Sequence, residues 1–186
     1  ESEKSIFINA AVPGDVQLDL CEAGYLPRDI FMGMNVKETE KFEDYEWWYE
    51  RDFSVDAVEK NAFLVFEGVD TVAEYYLNGK KIGESDNMFI PHEFDVSDKL
   101  RVGTNHITVH LTSPMAAVHD DEYDLYNLFS RWNAPVNTHI RRAPHSYGWD
   151  IMPRAVTAGL WREVYLEQRD TICFTQLFFD CRNPDA

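Results

Sequence analysis

Short apolar runs broken by turn residues dominate the chain, and helical periodicity is scarce. Over residues 48–55 the pattern alternates. Tyr49, Arg51, Phe53 and Val55 point one way and Trp48, Glu50, Asp52 and Ser54 the other, as in a half-buried strand. Residues 62–69 form a mostly apolar run of strand length, and 73–77 follow it. Asn78-Gly79 then supplies the positive φ angles of a type I′ turn, so 73–83 reads as a tight hairpin. Further strands are expected at 92–96, 105–112, 163–167 and 174–179. Turn signals recur at Gly68, Asn78-Gly79, Gly83, Pro91, Gly103 and Pro114. Many short strands with regular turns argue an all-β fold, an antiparallel β-sandwich or jelly roll, with one or two short helices. One helix is expected at 14–24, with Gly24 as its stop, and a second at 119–132 through Tyr123, Tyr126, Leu128 and Phe129.

The length of 186 residues suits one domain with a short tail. We place the domain at 1–170 and read 171–186 as a final strand or the start of a linker. An (αβ) barrel needs about 250 residues and does not fit. Composition narrows the partners. With 17 Lys plus Arg against 33 Asp plus Glu, the net charge is −16. No basic excess exists to replace counterions on nucleic acid or to seek an anionic membrane. No apolar run approaches the ~20 residues of a membrane span. Hydrophobic residues at 45% are enough for a packed core. Cys21, Cys173 and Cys181 show no C-x-x-C spacing. If 174–180 is one strand, Cys173 and Cys181 lie about 26 Å apart, beyond disulfide reach, and free thiols are expected.

No P-loop, dinucleotide fingerprint, G-x-S-x-G elbow or H-E-x-x-H motif occurs. His106 and His110 share one strand face and read as polar surface histidines rather than a metal pair. The run His119-Asp120-Asp121-Glu122 reads as a solvated acidic loop rather than a hydrolytic carboxylate pair. No catalytic residue, metal ligand or cofactor site is expected on this chain. The informative segment is 141–153, RRAPHSYGWDIMP, within an irregular stretch of the kind that often carries function. Trp149 offers an aromatic face for the C–H face of a sugar, Asp150 an acceptor for its hydroxyls, and the arginines offer donors. Taken alone, such residues more often serve as a core or loop-anchoring indole and a turn-forming aspartate than as a sugar site.

Several pieces resemble the N-terminal domain of family two glycoside hydrolases, and specifically of β-mannosidases. They are VPGDVQLDL, GYLPRDIFMGMN, YEWWYERDF, FEGVDTVAEYYLNGKKIG, NMFIPHEFDV, RRAPHSYGWDIMPR and TAGLWREVYLE, in family order from Val12 to Glu167. The resemblance implies a galactose-binding-like jelly roll in a longer retaining exo-glycosidase. The parent's partner domains would be immunoglobulin-like domains and a catalytic barrel carrying both catalytic Glu residues, neither of which has a counterpart here. It also implies that Asp150, with Trp149 beside it, reaches into the barrel mouth to accept hydrogen bonds from a terminal mannose. Arg142 is our own addition, expected to orient the Asp150 carboxylate. The family usually reads W-D-W-G-P. This chain has Trp149-Asp150-Ile151-Met152-Pro153, which implies a loop with its own course and leaves the sugar preference open. The sequence does not fix the compartment; the resemblance points the parent toward the periplasm or the secretory pathway and lysosome. The competing readings are a free-standing carbohydrate-binding module and a β-sandwich adhesion or scaffold domain with no glycan role.

Overall fold

The computed structural model describes residues 5, 7–58, 60–118, 139–174 and 176–182. The expected second helix at 119–132 and the acidic run at 119–122 fall outside the described residues. Seven strands form two antiparallel sheets: β1 (Trp47–Val55), β2 (Ala62–Phe66), β3 (Ala73–Leu77), β4 (Lys80–Ser85), β5 (His92–Asp95), β6 (Gly103–Leu111) and β7 (Val164–Gln168). The four-stranded sheet runs β1-β6-β3-β4 and the three-stranded sheet β5-β2-β7.

The alternation read from the sequence sets the faces. Tyr49 and Phe53 of β1 turn toward the core while Trp48, Glu50 and Asp52 face solvent. The buried layer between the sheets includes Leu64, Phe66, Ala73, Tyr75, Leu77, Val109 and Leu111. The Tyr75 ring sits 4.5 Å from Phe66 and 4.6 Å from Phe94, contacts close enough to add aromatic attraction to area burial. Asn78 and Gly79 have φ of 52° and 77°, the type I′ geometry that lets β3 return as β4. Asn78 also fixes β6, since its side-chain oxygen accepts from the His106 amide at 3.1 Å and its own amide donates to the His106 carbonyl at 2.8 Å.

The helix α1 (Val16–Glu22) starts where Asp15 caps it, accepting from the Leu18 amide at 3.0 Å. Its N-terminus is bonded to the strand-like segment 156–160. Gly14 and Val16 donate to the carbonyls of Leu160 and Ala158, and the Gln17 amide donates to Val156. Gly159 makes this approach possible, because a Cβ there would stand 2.9 Å from both the Asp15 Cα and the Gly14 oxygen. A 3-10 helix at Asn35–Phe42, which has no helical apolar period in the sequence, carries the chain into β1.

The strand expected at 174–179 does not form among its described residues. Phe174, Leu177, Phe178 and Phe179 stand exposed and join no ladder. An apolar run becomes a strand only when an edge is there to pair with it, and both sheets of the sandwich are built without this segment. Cys21, Cys173 and Cys181 are free thiols.

Candidate functional site

The segment 139–161 lacks regular strands, yet it is held at many points. Its inner residues Ile140, Tyr147 and Val156 join Val118 in a second small core, with Val72 and Met115 packed against it. A 3-10 turn at Pro144–Tyr147 follows Ala143, and Ala155 donates to the Ser146 carbonyl at 2.9 Å, which brings the two legs of the loop together. Between the legs the chain makes a four-residue turn. Trp149 donates to the Met152 carbonyl at 3.0 Å and Met152 donates back at 3.2 Å. Asp150 and Ile151 form its crest. Gly148 enters the turn at φ 105°, a region costly for residues with a Cβ, and is the hinge at its base. Neither Ile151 nor Met152 has positive φ, so the turn dispenses with a glycine after Asp150.

At the crest, Trp149 is 57% exposed and Ile151 87% exposed, and the Asp150 carboxylate is exposed with no polar partner among the described residues. Beside the legs, the Met88 amide donates to the Arg141 carbonyl at 3.0 Å, which places the exposed Phe89 and Ile90 on the flanking loop.

Arg142 does not orient Asp150. It is 2% exposed, and its Nη2 donates to Asp70 Oδ2 at 2.8 Å, to the Thr157 carbonyl at 2.9 Å and to the Thr157 hydroxyl at 3.1 Å. Thr157 in turn donates to Asp70 at 2.8 Å. The physical reason is burial. A guanidinium inside the fold needs a buried counter-charge, and Asp70, itself 4% exposed, provides it. Arg142 therefore belongs to the foundation of the loop, not to its exposed crest.

A second arginine serves the same foundation and was not singled out from the sequence. Arg154 forms a bidentate pair with Glu43, Nε to Oε1 at 2.9 Å and Nη2 to Oε2 at 2.5 Å, and its Nη1 donates to the Tyr147 carbonyl at 3.3 Å. Both guanidinium carbons lie over the Tyr147 ring, at 5.1 Å for Arg142 and 5.8 Å for Arg154. Burial pushes the Tyr147 phenol up, and the charge of Arg142 opposes that shift. The separation of 111 residues between Glu43 and Arg154 hides this pair from local sequence reading.

Trp48, the other exposed tryptophan named above, stacks on His110 across the β1–β6 pair, with centroids 4.1 Å apart and planes 13° from parallel. His110 also meets Glu46 at 3.0 Å and Glu74 at 3.6 Å, and His106 meets Asp52 at 2.7 Å. Both histidines are polar surface groups facing carboxylates. Among the described residues, no group of three or more His, Cys, Asp or Glu is placed to hold a metal ion.

Among the described residues, this turn presents an indole and a carboxylate without a polar partner on a firmly rooted base. Comparison with known proteins gives this a context. The model of the glycosyl hydrolase 2 galactose-binding domain-like family matches residues 1–162. Beta-mannosidase B of Aspergillus clavatus is 35% identical over 162 residues, 84% of this chain and 19% of that protein. A probable beta-mannosidase of Caenorhabditis elegans is 31% identical over 177 residues, covering 86% and 19% respectively. A crystal structure of a beta-D-mannosidase from Dictyoglomus thermophilum superposes with a TM-score of 0.77 at 38% identity, over 90% of this chain and 21% of that one. The chain thus spans about a fifth of the length of these relatives. With its two antiparallel sheets and a family match along most of its length, the chain belongs to the galactose-binding-like domain family of glycosyl hydrolase family 2.

Proposed function

We propose that this chain is the non-catalytic N-terminal module of a retaining exo-glycosidase of β-mannosidase type. It packs on a catalytic barrel elsewhere in the parent and lends that barrel one polar contact. Asp150 accepts hydrogen bonds from hydroxyls of the terminal, non-reducing sugar, and Trp149 covers part of the sugar's apolar face. The observation that carries the reading is the Asp150 carboxylate, exposed and without a polar partner among the described residues, at the crest of a turn whose base is fixed. A carboxylate left free of protein donors keeps its lone pairs for a ligand. The parent chemistry would be double displacement by two carboxylates about 5 to 5.5 Å apart, neither on this chain.

Asp150→Ala in the full-length parent is expected to lower kcat/KM on an aryl β-mannoside by at least about tenfold, roughly 1.4 kcal/mol of transition-state stabilisation. Unchanged kinetics would remove Asp150 from the site. The exposed ring of Trp149 also suits a free-standing carbohydrate-binding module. Calorimetry of the isolated chain with mannose and manno-oligosaccharides separates the two readings: millimolar or tighter binding favours the module, and no heat of binding favours the accessory domain.

A further inference from the structure

We propose that Arg154 and Glu43 are positioning residues for Asp150: a two-point ion pair that sets the direction in which the 149–152 turn projects. The proposal rests on the reading of Asp150 given above. Arg154 is placed to act this way because one guanidinium meets both legs of the turn and the sandwich at once. Its own backbone lies in the descending leg, two residues beyond Met152. Its Nη1 reaches the Tyr147 carbonyl in the ascending leg. Its Nε and Nη2 grip the two oxygens of Glu43, which follows the 3-10 helix leading into β1. Glu43 is itself anchored. It is 9% exposed, and its carbonyl accepts from the Ser113 hydroxyl at 2.7 Å just beyond β6. The Met115 sulfur lies 3.7 Å from Arg154 Nη2.

No hydrogen bond or ion pair joins Arg154 or Glu43 to the Asp150 carboxylate, so any influence travels through the direction of the turn. The lever is long. Gly148, with positive φ and no side chain, is the natural pivot immediately outside the clamp. Two residues of chain put the Asp150 carboxylate roughly 8–10 Å from that pivot, so a swing of about 15° moves it by about 2 Å. A misplacement of about 1 Å can cost up to about a hundredfold in rate. A planar fork gripping a carboxylate at two points resists such rotation, whereas a single ammonium contact does not. Arg142 differs, since its partners Asp70 and Thr157 tie it deeper in the loop and leave the orientation of the turn to Arg154.

The test is a set of variants in the full-length parent: Asp150→Asn, Arg154→Ala, Arg154→Lys, Glu43→Gln, and the Asp150→Asn/Arg154→Ala double, each assayed for kcat and KM on an aryl β-mannoside. Arg154→Ala and Glu43→Gln are expected to lower kcat/KM by about five- to thirtyfold, with Arg154→Lys recovering only part of the loss. The double variant is expected to stay within about twofold of Asp150→Asn alone, because a lost direction costs nothing once the carboxylate is gone. Full activity in Arg154→Ala beside an impaired Asp150→Asn overturns the clamp and leaves the Asp150 reading standing. Losses that multiply in the double variant also overturn it, since they show an effect not routed through Asp150. Unchanged Asp150→Asn overturns both readings together. If Arg154→Ala does not fold, Glu43→Gln alone and combined with Asp150→Asn carries the same three outcomes.

Discussion

Trp48 and Trp149 are equally exposed, at 57% each, and each has carboxylates close by in sequence, yet they sit in opposite surroundings. Trp48 stands on a nine-residue strand, stacked on His110, whose imidazole also meets Glu46 and Glu74. Glu74 shows how complete that engagement is. Hydrogen bonds from Lys81 and then Tyr76 hold its pKa down to about 2. Trp149 opens a four-residue turn whose aspartate touches no donor among the described residues. Exposure of an aromatic ring therefore does not by itself mark a ligand-facing surface. The acceptors around each ring differ in part: beside Trp48, Glu46 and Glu74 meet His110 and Asp52 meets His106 while Glu50 has no polar partner among the described residues, and beside Trp149 the one aspartate, Asp150, has none.

The contrast between an engaged base and an open crest can be broken most forcefully within one loop. Arg142→Leu leaves Asp70 as a buried, unpaired charge and is expected to cost about 3–5 kcal/mol in chemical denaturation. Asp150→Asn, eight residues away, is expected to stay within about 0.5 kcal/mol of the native chain. Similar losses at the two positions would mean that Asp150 too is structural. Gly148→Ala tests the hinge between them. A Cβ there meets Arg154 at ordinary contact distance, 3.7 Å from its Cβ and 4.0 Å from its Cα and N, so strain at φ 105° rather than a clash sets its effect, about 1–3 kcal/mol in thermal or denaturant unfolding. A neutral result would show that the turn can enter by another backbone path.

The smallest effect belongs to the sheet. Because the folded-state pKa of Glu74 is depressed, its contribution to stability is fully present above its ordinary value near 4.5 and is lost as pH falls through about 2. Glu74→Gln is therefore expected to show a smaller drop in Tm between pH 6 and pH 2.5 than the unmodified chain. The group is solvent-exposed, so the difference should shrink in high salt. Equal pH profiles for the two proteins would mean that the network around His110 contributes nothing to folding.

The parts of the fold that local chemistry determines were readable in advance. Asn78-Gly79 has to turn with positive φ, the 48–55 alternation has to split β1 into a wet and a dry face, and Gly24, with φ of 80°, follows the end of α1. What depended on distant partners was not. Nothing near β1 says that it pairs with β6, from Val55 opposite Gly103 to Trp47 opposite Leu111, or that β2 lies between β5 and β7. The run at 174–179 looked like a strand because composition cannot report whether an edge is waiting for it. At the site, the side-chain chemistry of Trp149 and Asp150 pointed to a turn that the fold leaves exposed at its crest. The partner of Arg142 was misjudged because eight residues of sequence proximity gave way to Asp70, seventy-two residues distant. Arg154 stood at the end of the same motif without any local mark of its bond to Glu43.

The paired Trp149 and Met152 bonds close the turn on itself, and among the described residues Asp150 and Ile151 add no hydrogen bond to the scaffold below. Such a crest behaves as an interchangeable cassette. Mutation can exchange its two outermost letters while descendants inherit the sandwich intact, and a lineage can retune what the tip greets without refounding the domain that carries it.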